Sequence, residues 1–283
     1  LRSDLKTDVL IIGGGLAGVL CAYKLAQAGV DCALVEADRI GGGITKNTTA
    51  KITSQHGLIY GKLIREFGAD RARLYLEVNQ RALEEYRALC RTMDCDFEEK
   101  DAFVYSLGSR EKLDRELNAL ERLGFGAEFQ ADIPLPFPTA GAVKFKDQAQ
   151  FHPLKFIAAI AGELRIFERT KVLELGPGKA VTTGGTISAD KLIIATHFPV
   201  LNKHGGYFLK MYQHRSYVLA LKNAPDVQGM YLDEDEKGLS FRNYGGLLLL
   251  GGGNHRTGRQ GGSWTELERF ARTCYPDARP AAR

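Results

Sequence analysis

A chain of 283 residues, 44% hydrophobic and 25% charged, has the make-up of a globular protein with a buried core, as one large domain or two interleaved ones. Its net charge of +4 is spread out with no dense run of Lys or Arg, which excludes nucleic acid and an anionic membrane surface as defining partners. Five cysteines without a Cys-x-x-Cys pair, and six histidines without a pair at ligand spacing, exclude a disulfide framework and a zinc or iron–sulfur site.

Residues 1–8 alternate in charge and carry no secretory core, and the longest apolar runs are far shorter than the roughly 20 residues that span a bilayer. The sequence therefore reads as cytoplasmic, without a membrane span. Residues 8–12 form an apolar run closed by glycines. Residues 16–28 have helical spacing of Leu16, Val19, Leu20, Tyr23 and Leu25, and residues 32–35 are a second apolar run, giving strand, helix, strand. Residues 57–93 predict two helices broken near Gly68, residues 97–107 a strand pair, and residues 110–123 an amphipathic helix ended by Gly124. Pro134, Pro136 and Pro138 mark a stiff loop. His152, beside Pro153, is expected to cap a helix running to Leu164. Residues 165–175 and 180–183 around a Gly-Pro-Gly turn predict a β-meander, and residues 192–195 a buried strand ended sharply by Thr196, His197, Phe198 and Pro199. Residues 212–221 and 230–241 alternate as strands of an antiparallel sheet. A last helix, 263–275, precedes a tail without a core signal.

The chemistry starts at Gly13-Gly14-Gly15-Leu16-Ala17-Gly18, a G-x-G-x-x-G between a buried strand and a helix. The first glycine permits the tight turn, the second lets the backbone approach a diphosphate, and the third lets helix and strand pack closely, with the phosphates on the helix N-terminus. Glu36, eighteen residues past Gly18, stands at the end of the second strand, where a carboxylate accepts hydrogen bonds from a ribose. The fingerprint alone fits FAD and NAD equally. The long polar, glycine-rich stretch 38–50 that follows favours FAD, since an extended dinucleotide needs such a cover along its ribityl chain and flavin ring.

Residues 8–18, Glu36, residues 42–51 and residues 189–197 together resemble the glycine oxidase and D-amino-acid oxidase (DAO) family of FAD-dependent oxidoreductases, over essentially the whole chain. Residues 50–57, Ala-Lys-Ile-Thr-Ser-Gln-His-Gly, are similar to the branch often fused to a C-terminal Rieske domain. The resemblance implies an α/β fold: a Rossmann-type FAD-binding domain, residues 1–95 and 145–200, interleaved with a smaller α+β substrate domain on an antiparallel sheet, residues 96–144 and 201–283. It implies FAD contacts at Gly13, Gly14, Gly15, Leu16, Ala17, Gly18, Glu36, Ala37, Arg39, Gly42, Gly43, Thr45, Thr48, Thr49 and Ala50. Val172 falls where the family places a backbone contact to adenine. Ala195, Thr196 and His197 fall at a second cofactor strand, with His197 replacing the glycine of the usual Ala-Thr-Gly. Nothing after Gly262 matches the family's C-terminal flavin-closing segment, so the chain is expected to end early and without a Rieske domain.

The activity implied is oxidation of a small amine or amino acid by hydride transfer to flavin N5, with oxygen, a quinone or a protein as the open choice of electron acceptor. Lys51 and His56 follow the cofactor loop. His214, Arg215 and Tyr217 lie on a strand whose alternation puts His214 on one face and Arg215 and Tyr217 on the other. Surface roles for Lys51, His56 and Arg215 and a structural role for His214 stand beside these readings. A non-catalytic, truncated FAD-binding protein and an NAD-dependent dehydrogenase are the alternative functions.

Overall fold

The segments read as strand, helix and strand are those elements in the computed structural model, which describes residues 1–198, 200 and 206–283. They are β1 (Leu5–Ile12), α1 (Leu16–Gln27) and β2 (Cys32–Val35), followed by a 3-10 turn, Ile44–Asn47. The chain continues through β3 (Lys51–Ile52), α2 (Tyr60–Phe67), α3 (Ala69–Cys90), β4 (Glu98–Tyr105), α4 (Arg110–Arg122), β5 (Glu128–Gln130), β6 (Ala142–Gln150) and α5 (Pro153–Ala161). Then come β7 (Ile166–Phe167), β8 (Val172–Gly176), β9 (Lys179–Thr182), β10 (Gly185–Ile194), α6 (Tyr207–Lys210), β11 (His214–Lys222), β12 (Met230–Asp233), β13 (Ser240–Tyr244), β14 (Leu247–Arg256), α7 (Trp264–Cys274) and β15 (Arg279–Ala282). No helix among the described residues is long and apolar enough to cross a membrane.

Contacts divide the chain into two units, and each holds one sheet. The first comprises residues 1–48, 92–96 and 152–211. Its sheet has the order β7-β2-β1-β10-β9-β8. β1 pairs in parallel with β2 and β10, so that Ile12 lies beside both Val35 and Ile194 and the three strands end level with one another. Leu10, Ile11 and Leu34 are fully buried, as strands covered on both faces require. β8, β9 and β10 form the expected meander, turning at residues 176–178. His152 caps α5 by accepting the Lys155 amide, with Pro153 at the first helical position, where its missing N–H costs nothing.

The second unit comprises residues 49–91, 97–151 and 212–283. Its sheet has the order β15-β11-β14-β13-β12-β4-β6-β3, with β5 on β6. All neighbours are antiparallel except β12 and β4. Tyr105, Leu219, Phe241, Leu248 and Leu250 fill one core with α7. Tyr60, Leu113, Leu120 and Phe145 fill another under α2, α3 and α4. Gly68, at φ +84, breaks α2 from α3 as the sequence predicts.

The structure differs from expectation at several elements. The pair read in residues 97–107 is the single strand β4, whose antiparallel partner is β6, some forty residues on. Residues 230–241 hold two strands, β12 and β13, joined by a turn through Gly238. The helix after His152 stops at Ala161, before Gly162. The tail is an exposed edge strand, β15, held by β11 through its backbone, which leaves no apolar signature. The unit on the antiparallel sheet is the larger of the two, because residues 49–91, with α2 and α3, pack with that sheet. The strand end read at residues 196–199 falls at Ile194, where β10 stops, and Pro199 lies outside the described residues.

Candidate cofactor site

At the C-terminal ends of β1, β2 and β10 the backbone is drawn together around glycines. Gly13 turns at φ +111, and a Cβ there would lie 2.6 Å from the Ala195 carbonyl oxygen. A Cβ on Gly18 would lie 1.9 Å from the Gly13 oxygen, so helix and turn close only because hydrogen occupies both places. Gly15 is extended before α1 and caps it with no side chain, and the first turn carries no acid. The Leu16 amide donates to Thr45 Oγ1 at 3.0 Å. Among the described residues no acceptor meets the amides of Gly15, Ala17 and Gly18. Three free donors at the positive end of a helix make a place for an anion, and the bare backbone at Gly15 lets one come close.

Glu36 leaves β2 with its carboxylate turned to this end of the sheet. Oε2 accepts the Gly14 amide at 2.6 Å and Oε1 accepts the Asp38 amide at 2.9 Å. Each oxygen keeps a lone pair for a further donor, so the group is fixed in place yet still able to accept. Gly41 donates to the Gly14 oxygen at 2.8 Å and Gly42 to the Arg39 oxygen at 3.1 Å, tying the start of the glycine-rich stretch back to the fingerprint. Ala37 and Arg39 are exposed beside Glu36, and Gly43 and Thr48 are exposed along the loop, while Thr45 is buried by its bond to α1.

Two contacts here carry no sequence signal. Thr170 donates its amide to the Glu36 oxygen at 2.8 Å, and Ile40 donates to Glu168 Oε1 at 2.8 Å. They bring residues 168–170, and Val172 at the start of β8, beside the end of β2 from over a hundred residues away. After β10, the Ala195 amide donates to the Ile12 oxygen at 2.8 Å, Thr196 Oγ1 donates to the Phe198 oxygen at 2.7 Å, and His197 holds φ +62. That left-handed backbone is the reason a glycine suits the position. An open cleft lined by Asp31, Glu163 and Arg165 sits at the opposite end of β2, away from these groups.

The remaining candidates are in the second unit. Thr49 Oγ1 accepts from Lys51 Nζ at 3.2 Å, and Ala50 is buried at φ +48. Loss of solvent, and then the charge of Arg242, pull the Lys51 pKa down to about 7. His56 Nδ1 meets Tyr75 Oη at 2.9 Å, and reduced solvation lowers its pKa against an opposing backbone hydrogen bond at Thr53. His214 and Arg215 are exposed at the end of β11. A bulge between Arg215 and Tyr217 interrupts the simple alternation of faces, and Tyr217 Oη meets His255 Nε2 at 3.2 Å. Sequence reading passed over Arg242, which is only 4% exposed on β13. Its strand, Ser-Phe-Arg-Asn-Tyr, holds other polar residues, so nothing in the sequence marks the charge as buried.

The family of FAD dependent oxidoreductases, abbreviated DAO, matches residues 8–283. The chain belongs to this FAD-dependent oxidoreductase family. FAD is thus the family's cofactor, which decides the choice that the fingerprint left open. A relative in Bacillus subtilis (strain 168), described as the Rieske 2Fe-2S iron-sulfur protein YhfW, is 36% identical over 277 residues, 92% of this chain and 54% of that protein. Gamma-glutamylputrescine oxidoreductase of Escherichia coli (strain K12) is 23% identical over 223 residues, 69% of this chain and 50% of that one. The chain spans about half the length of the curated relatives it matches. Among solved structures, glycine oxidase from Geobacillus kaustophilus aligns with a TM-score of 0.70 at 19% identity, over 98% of this chain and 81% of that one. L-proline dehydrogenase from P. horikoshii gives 0.76 at 14% identity, over 100% of this chain and 80% of that one. At such identities the likeness speaks for the family's fold.

Proposed function

We propose that the chain oxidises a small amine or amino acid with FAD held at the glycine turn of the first unit. The observation that carries this reading is the set of unpartnered amides opening α1 beside the fixed carboxylate of Glu36. Gly15, Leu16, Ala17 and Gly18 would hold the diphosphate, with Thr45 orienting the Leu16 amide, and Gly13 and Gly14 would shape the turn. Glu36 would accept the ribose hydroxyls, with Ala37, Arg39 and the Val172 backbone on the adenosine side. Gly42, Gly43, Thr48, Thr49 and Ala50 would run along the rest of the cofactor, and Ala195, Thr196 and His197 would give it close backbone approach. Bound FAD supplies the electron sink, taking a hydride from the carbon α to the amine.

The chain's own task is to present a neutral amine, since an ammonium has no lone pair to support loss of hydride. Lys51 Nζ is suited to take that proton, because its pKa of about 7 leaves a substantial unprotonated fraction at neutral pH. His56, already held neutral by its lowered pKa, stays a candidate polar contact in the same stretch.

Anaerobic flavin reduction by a panel of amines and amino acids tests the reading. Bleaching of the flavin band is expected with some member. At limiting substrate the rate should rise with pH through about 7 as Nζ loses its proton, and Lys51→Met should flatten that limb. A holoprotein that no amine or amino acid reduces would overturn the proposal.

A further inference from the structure

We infer that the outer stripe of α3 is the contact surface of a symmetric dimer, in which two copies of this chain lay the helix antiparallel across a two-fold axis at Val78. The oxidation proposed above neither needs this surface nor leads to it.

The inner side of this 22-residue helix buries Ala72, Leu76, Leu83 and Cys90. Its outer side carries a second apolar row that nothing in the chain covers. Leu74 is 60% exposed, and Val78, one turn on, is 57% exposed. Ala82 follows exposed after another turn, and Phe67, two residues before the helix begins, is 53% exposed. Exposed apolar residues scattered singly need no explanation, whereas large ones stacked along a helix at intervals of four mark a contact surface. At 100° per residue, residues 71, 74, 75, 78, 82 and 85 share a stripe about 100° wide, the width of a helix face that packs on a neighbour.

The charges on the stripe select the occupant. Arg71 stands in the first turn of α3, where the positive end of the helix disfavours a cation. Asp70, its neighbour in sequence, pairs with Arg73, and Arg71 has no ion-pair partner among the described residues. Glu85, the opposite charge, lies on the same stripe beyond the apolar row. A second copy laid antiparallel meets this pattern with its own. Residues equally far on either side of Val78 then face one another, so Arg71 meets Glu85, Leu74 packs on the small Ala82, and each contact is made twice. Tyr75 falls opposite Arg81, a cation–π pair, and its ring is already held because its hydroxyl meets His56 Nδ1 at 2.9 Å. The two helix dipoles also run in opposition, and each Arg71 is brought toward the negative end of the other helix. A parallel pair would set Arg71 on Arg71 and Glu85 on Glu85, which like-charge repulsion opposes. From Arg71 to Glu85 the stripe is roughly 21 Å long, and its burial covers on the order of 500 Å² of each copy. That is the low end for a specific interface, which gives weak, concentration-dependent association.

Sedimentation velocity on the FAD-loaded protein tests the pairing, over roughly 1–300 μM so as to span a dissociation constant on the order of 10 μM. A monomer–dimer equilibrium that moves to the dimer with concentration is expected. Val78→Glu sets two carboxylates against each other on the axis and should raise the constant by roughly a hundredfold or more. It leaves the buried side of the helix untouched, so circular dichroism and flavin content should match the wild type. Arg71→Glu and Glu85→Arg should each weaken the dimer by roughly tenfold, through the two ion pairs lost and the repulsion put in their place. Combined, they exchange the charges and should return the constant to about the wild-type value, which only an antiparallel pair in this register allows. A wild-type protein that stays monomeric at the highest concentration would overturn the inference, and a stripe that serves some other partner gives that result. A dimer that Val78→Glu leaves intact, or a double exchange that recovers nothing, would overturn it equally. Should Val78→Glu fail to fold, the charge exchange at the exposed Arg71 and Glu85 decides.

Discussion

His197 holds φ +62, a backbone that costs an L-residue about 1 kcal/mol and costs glycine almost nothing. Its side chain is the departure from the family's Ala-Thr-Gly, and the backbone shows what the departure has to bear. His197→Gly should stabilise the folded protein by about 1 kcal/mol, less what the more flexible unfolded chain takes back. Urea unfolding of the two proteins side by side would show it, and an unchanged or lower midpoint would mean that the imidazole makes compensating contacts. Residues of this kind divide sharply in how readily a sequence shows them. Gly13, Gly15, Gly18 and Glu36 are legible because their constraints are local: a turn, a helix start and a strand end within thirty residues. Thr170 and Glu168 are not, since the pairing of β7 with β2 brings them to their partners and nothing in their own neighbourhood marks them.

The same division runs through the elements. α1, β2 and the break at Gly68 follow from periodicity and glycine placement, whereas the partner of β4 is β6, a strand whose alternation breaks at the polar run Lys146, Asp147 and Gln148. α2 shows how a distant residue completes a local element. Ile59 offers the helix no side-chain cap, and Glu116 of α4 takes that place, accepting the Tyr60 amide at 2.8 Å and the Gly61 amide at 3.0 Å. Burial pushes the Glu116 pKa up and the amides pull it back. Glu116→Ala would leave two buried amides unmet and should cost about 2–4 kcal/mol, while Glu116→Gln, which keeps one acceptor, should cost markedly less. Thermal melts of the pair decide it: equal losses would place the contribution in packing rather than in the cap.

Across the whole molecule, each unit has its own sheet and its own core, so stability gained by one is not automatically shared by the other. The cofactor makes that measurable. A ligand that binds only the folded state stabilises it by RT ln(1 + [L]/Kd), about 2.7 kcal/mol at a hundredfold excess over Kd. The amides opening α1 belong to the first unit, as do β1, β2 and β10, whose ends form the turn around Gly13. Hydrogen exchange should therefore slow by up to roughly a hundredfold in those strands when FAD is added at that excess. Gly18→Ala provides the control, because its methyl group would sit 1.9 Å from the Gly13 oxygen and the turn could not close on the helix. Its exchange should be insensitive to FAD, and its core strands should be less protected from the outset, by the 1–3 kcal/mol that overpacking costs. If FAD slows exchange equally in Gly18→Ala and in the wild-type chain, the diphosphate does not rest on α1. The cofactor would then have to be held by other backbone, and the roles given to Glu36 and Thr45 would fall with it.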